Sequence, residues 1–188
     1  LSSQAEVKKA AETFLSMEKP LDILLNNAGI MNRERNETID GLEEVFSVNH
    51  LAYFTFTLLL AEKLKNTSGS RVVNVASGAH QFVKDMNFED LQSEKNFRPM
   101  QVYGQSKLAN ILFTKSLSEK LSSFGVTVNC LHPGFVSTGI GSNNNQGLWT
   151  FLMFLAKPFA RKTDKGAETS IYLCSSSGVK DTTGEYFV

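Results

Sequence analysis

The sequence predicts an α/β fold built on a mostly parallel sheet, and three observations carry that prediction. Helical and strand signals alternate along the 188 residues. The strand candidates are short continuous apolar runs, the pattern of strands covered on both faces. Polar or small residues follow three of those runs directly, where an open parallel sheet forms its ligand crevice.

The first element is a helix from Ser3 to about Met17. Ser3 is placed to cap it, Glu6 follows three residues on, and Val7, Ala10, Ala11 and Phe14 share one face. A strand follows at Leu21–Leu25. The second helix is expected over Gly41–Lys65, with Asp40 as its N-cap and Leu42, Val45, Phe46, Tyr53, Phe56 and Leu60 on one stripe. Next come a strand at Arg71–Ala76, an irregular polar stretch to Pro99, and a third helix over Tyr103–Ser122. Phe124-Gly125 is the expected C-cap before a strand at Val126–Leu131. Asp164 is placed to cap a last helix ending near Leu173, and Gly184–Val188 is the final strand candidate. No linker or repeat divides the chain, so residues 1–188 are expected to form one domain.

Composition narrows the function classes. The 19 basic and 19 acidic side chains cancel, which removes the surplus of Lys and Arg that nucleic-acid phosphates need. Cys130 and Cys174 lack C-x-x-C spacing and a histidine cluster, so neither a metal nor a disulfide is expected, and both read as buried thiols. No secretory signal opens the chain. The longest apolar segment, Leu148–Ala156, falls short of the roughly 18 residues a spanning helix needs, so the chain is expected to be soluble.

Chemistry concentrates after the strands. Asn26-Asn27-Ala28-Gly29, Ser77-Gly78 and His132-Pro133-Gly134 would line one edge of the sheet. Singly, each is an ordinary turn; jointly, they outline a cleft. Tyr103 and Lys107 lie four apart on a predicted helix and share a face. A cation beside a phenol favours the phenolate, giving the pair acid–base character, although a lone Tyr and Lys at this spacing also fit a solvated face. Asn49 falls on an apolar stripe, where it is either a satisfied core amide or a functional one. His50, His80 and His132 read as structural or surface residues.

In order and context, these motifs resemble the short-chain dehydrogenase/reductase signature. The matching elements are Asn26-Asn27-Ala28-Gly29, Asn49, Ser77 after Val72-Val73-Asn74-Val75-Ala76, Tyr103-Gly104-Gln105-Ser106-Lys107, and Pro133-Gly134. Ser106-Lys107-Leu108-Ala109-Asn110 with His132-Pro133-Gly134 looks most like the retinol-dehydrogenase-like branch. The resemblance implies a Rossmann-type doubly wound sheet and an NADP (or NAD) cofactor. It implies that Tyr103 is the general acid/base, that Ser77 holds the reacting oxygen, that Lys107 lowers the tyrosine pKa and binds the nicotinamide ribose, and that Asn49 positions a relay water. Asn26, Ala28 and Gly29 would flank the adenosine side, while Pro133, Gly134, Val136 and Thr138 would pack around the nicotinamide.

The Gly-rich pyrophosphate turn that opens this family has no counterpart before Asn26, so the fold is expected to be N-terminally incomplete. Trp149, Phe151, Leu152, Phe154, Leu155 and Phe159 either line an apolar substrate pocket or close the core. The first reading implies a lipophilic alcohol or carbonyl substrate, such as a retinoid or steroid, with contact at a membrane interface. A homodimer, and a cytoplasmic or endoplasmic-reticulum location, are further expectations from the branch. The rival class is a catalytically impaired truncated form acting as a binding or regulatory protein. Epimerase or dehydratase chemistry fits less well, because those relatives need a larger C-terminal substrate domain.

Overall fold

The structure is a computed structural model and describes residues 1–134 and 163–188. Four strands form one parallel sheet: β1 (Ile23–Asn26), β2 (Arg71–Val75), β3 (Thr127–Leu131) and β4 (Tyr186–Phe187), in that spatial order. The register pairs Leu24 with Val72, Asn26 with Asn74, Val72 with Val128, and Leu131 with Phe187. Parallel neighbours require long crossovers, and helices supply them.

Both faces carry helices, as a doubly wound sheet requires. Helix α1 (Gln4–Ser16) and the long α5 (Pro99–Leu121) pack the face made by Leu24, Val72 and Val128, through Ala11, Phe113 and Leu117. Helix α6 (Thr163–Ser175) covers the opposite face, where Leu173 meets Val73 and Leu131. Arg71 on β2 donates to the carbonyls of Leu173 and Ser176, satisfying the otherwise unpaired C-terminal end of α6.

Ser3 caps α1 as expected, accepting from the Glu6 amide at 3.4 Å. The second helix differs from its expectation. Asp40 does not cap it; its carboxylate instead accepts from the Gln4 amide at 2.7 Å, tying α1 to this segment. The cap is Glu43, fully buried, whose carboxylate accepts from the amides of Val45 and Phe46 at 2.9 and 2.6 Å. Helix α2 (Glu44–Phe46) passes into a π turn at Ser47–Leu51, where Ala52 N–H bonds the Ser47 carbonyl five residues back. Helices α3 (Ala52–Leu59) and α4 (Ala61–Lys65) continue it.

Helix α5 begins four residues earlier than the expected Tyr103. Arg98 is extended and Pro99 occupies the first turn, where its missing N–H costs nothing. It ends through Gly125, whose φ of +72° makes it the left-handed cap. Asp164 lies inside the first turn of α6, not before it, and the last strand is two residues long. Cys130 is buried but Cys174 is only half-buried; both are free thiols, and burial pushes Cys130 up to about 11.

Candidate active site

Helix α5 presents Tyr103 and Lys107 toward the C-terminal end of β2. Lys107 is 2% exposed, and its ammonium donates to the Val75 carbonyl at 3.0 Å. It lies 5.7 Å from the centre of the Tyr103 ring and 5.8 Å from that of Tyr53. Burial lowers Lys107 to about 8, since a low-dielectric site disfavours the charged amine. Burial pushes the Tyr103 phenol above its ordinary value, and a hydrogen bond with Ser77 pulls it back. In this geometry the downward influence on Tyr103 is the Ser77 hydroxyl, where the spacing alone pointed to Lys107.

Ser77, two residues past the end of β2, opens a 3-10 turn over Gly78–Phe82, its Oγ accepting from the Ala79 amide at 3.2 Å. The approach of this turn to Tyr103 depends on Gly104. A Cβ there would lie 2.7 Å from the Ala79 carbonyl oxygen and 3.2 Å from Val83 Cγ1, so only glycine lets α5 sit this close.

Asn49 is fully buried on the π turn. Its Oδ1 accepts from Ile30 N at 2.8 Å, while its Nδ2 donates to Ile30 O at 2.9 Å and to Ser106 Oγ at 3.0 Å. The amide is therefore committed to structure, clamping Ile30 and the Ser106 hydroxyl. Gly29 packs directly on this pair: a Cβ there would lie 3.3 Å from Lys107 Nζ and 3.4 Å from Asn49 Oδ1.

The residues expected to bind cofactor divide. Asn26 is the last residue of β1, and its amide donates to Thr57 at 2.9 Å and Asn74 at 2.8 Å, holding β1 to its neighbours. That side chain is used up inside the fold. The Ala28 carbonyl accepts from the Tyr53 hydroxyl at 2.6 Å. Pro133 and Gly134 follow β3, with the Gly134 amide donating to His132 Nδ1 at 3.0 Å. Val136, Thr138 and the apolar segment around Trp149 lie outside the described residues.

The histidines, read as structural or surface residues, are structural, and their partners lie at the site. His80 Nδ1 donates to the Ser77 carbonyl at 2.7 Å, His132 holds Gly134, and His50 meets Asn110 at 3.0 Å. Each therefore bonds the backbone of a site residue or a side chain packed on one. Asn110 lies three residues beyond Lys107 on α5, so helical spacing was a usable signal for it. A cavity of about 500 Å³ between the 82–96 loop and the start of α5 contains none of Asn49, Ser77, Tyr103 or Lys107.

The arrangement suits a hydroxyl-rich ligand. The Lys107 ammonium carries three donors, and among the described residues its one hydrogen-bond acceptor is Val75 O, with Gly29 and the Tyr53 and Tyr103 rings close by. A diol beside it would supply the missing acceptors.

A parallel sheet with a Ser, Tyr and Lys gathered at its C-terminal edge defines the class, and residues 1–149 match the short chain dehydrogenase family; the chain belongs to it. Over its whole length it is 42% identical to retinol dehydrogenase 12 of Mus musculus and 42% identical to retinol dehydrogenase 14 of Homo sapiens. It covers 58% and 56% of those proteins, little more than half of each. In three dimensions it resembles a short chain dehydrogenase from Burkholderia cenocepacia in complex with NADP, with a TM-score of 0.73 and 25% identity over 99% of this chain and 71% of that one.

Proposed function

We propose that this chain forms the catalytic part of a nicotinamide-dependent oxidoreductase that interconverts an alcohol and a carbonyl compound. The observation that carries the reading is the gathering of Ser77, the buried Tyr103 and Lys107 at the C-terminal end of β2, with the Lys107 ammonium 5.7 Å from the Tyr103 ring and 3.0 Å from the Val75 carbonyl. Ser77 hydrogen-bonds the substrate oxygen, and Tyr103 exchanges the proton with it. The dinucleotide, when bound, supplies or accepts hydride. Lys107 directs its spare donors to the ribose hydroxyls, beside the space that Gly29 leaves open, and Pro133 and Gly134 border the nicotinamide. The retinol dehydrogenases at 42% identity support a retinoid or similar lipophilic substrate, and the NADP complex of the structural neighbour supports NADP over NAD.

Two measurements test this. Fluorescence titration with NADPH and NADH should give saturable binding, tighter for NADPH; a folded protein that binds neither dinucleotide sinks the proposal. Tyr103→Phe should lower kcat by about 10²- to 10⁴-fold with dinucleotide affinity kept, and retained turnover would refute the role of Tyr103.

A further inference from the structure

Resting on that reading, we propose that Asn110 and His50 are positioning residues of the site: the Asn110 amide fixes the carbonyls of Asn49 and Val75, and His50 fixes the amide. Asn110 is fully buried, and its Nδ2 donates to Asn49 O at 2.9 Å and to Val75 O at 3.5 Å. The second of these carbonyls is also the acceptor of Lys107 at 3.0 Å. The first belongs to the residue whose side chain clamps Ile30 beside Gly29.

The orientation of the amide follows from its partners. Turned over, Asn110 would set Oδ1 against two carbonyl oxygens, a repulsive arrangement, so the NH₂ faces them and Oδ1 faces His50. Because Oδ1 can only accept, His50 Nδ1 carries the proton in the 3.0 Å contact. The imidazole is held for this by a ring cluster, with Phe46 at 5.2 Å, Phe113 edge-on at 6.1 Å and Phe54 at 6.2 Å between centroids. Burial lowers the His50 pKa and keeps the ring neutral, and among the described residues no charged group shifts it. A chain of hydrogen bonds thus runs from an aromatic niche to the anchor of Lys107. Without it, Asn110 Oδ1 is left buried and unpaired, the two carbonyls lose their brace, and an ammonium with spare donors is free to pull on them.

The test removes the donor and keeps the ring. His50→Phe preserves the aromatic packing but cannot donate; His50→Asn places an amide N–H near the position of Nδ1. In steady-state assays of the natural protein carrying this sequence, His50→Phe should lower kcat by about tenfold, while KM for the dinucleotide moves less than about twofold, and His50→Asn should recover most of the loss. A second readout does not need turnover: in lysine 13Cε NMR titrations, His50→Phe should move the Lys107 midpoint by about half a pH unit or more, and His50→Asn should leave it in place. Among the described residues the titratable groups facing Lys107 are Tyr103 on its own helix and Tyr53 on α3, both present in every variant. An unmoved Lys107 midpoint in His50→Phe, or equal kcat in the two variants, overturns the inference. A wild-type protein with no oxidoreductase activity overturns the proposed function, while the NMR comparison still decides the role of His50 and Asn110.

Discussion

Two helical regions build the site in opposite ways. Helix α5 is one uninterrupted helix over 23 residues and delivers Tyr103 and Lys107 by regular spacing. The run from Glu44 to Lys65 is broken by a π turn and a further break at Leu60, and it delivers a single buried amide, Asn49, from the irregular part. Regularity suits a pair of groups that must share a face. A π turn suits one polar group that must leave the apolar stripe and face inward, as such turns do at functional sites.

The sharpest way to break the contrast is on the irregular side. Asn49→Leu leaves Ile30 N, Ile30 O and Ser106 Oγ without their partner and should cost about 3–5 kcal/mol in denaturant unfolding. A loss under about 1 kcal/mol would mean that the π turn carries Asn49 incidentally. On the regular side, Gly104→Ala drives a Cβ to 2.7 Å from the Ala79 carbonyl, where backbone must move. It should cost about 2 kcal/mol in thermal unfolding and lower kcat by parting Tyr103 from Ser77. Glu43→Ala removes both acceptors at the head of α2 and should cost about 1–2 kcal/mol, with α5 unaffected by hydrogen exchange.

An effect of similar size concerns pH. Lys107 titrates at about 8 in the folded chain and near 10.5 when unfolded. Between these values the unfolded chain holds the extra proton, so stability rises with pH and is lost as pH falls through the window. From pH 8 to about 9.5 the wild type should gain about 1–2 kcal/mol relative to Lys107→Met. The measurement stays below the range where Tyr53 and Tyr103, both pushed up by burial, act in the opposite sense. Parallel curves for the two proteins would mean that Lys107 is not desolvated.

Local signals in the sequence were legible where the governing contact is local. The Ser3 cap bonds three residues away, the Tyr103 and Lys107 pair lies within one helix, and apolar runs mark every strand to within two residues. Asp40 failed as a cap because its partner, Gln4, is 36 residues away on another element, and nothing near Asp40 announces that. Asn26 was read as a ligand residue because strand ends are hard to place; as the last residue of β1, one past the expected end, its amide turns to Asn74 and Thr57. The partners of the histidines were unreadable for the same reason, since His50 and Asn110 are 60 residues apart. The start of α5 is different, for Pro99 is a first-turn signal that the sequence does display.

The π turn makes the length of this segment matter more than its letters. Loss of any one residue from Ser47–Leu51 would let the i to i+4 ladder run through from α2 into α3, yielding a smoother helix. Because the turn holds one residue more than an α-helical turn, α2 and α3 would keep their phase, and what would change is where the residues inside the turn point. Asn49 would lose the offset that carries its amide to Ile30, while Tyr53 on α3 could still reach the Ala28 carbonyl. A single codon removed there would produce a well-formed helix and a dismantled site, while most single-letter changes on its outer face would pass unnoticed.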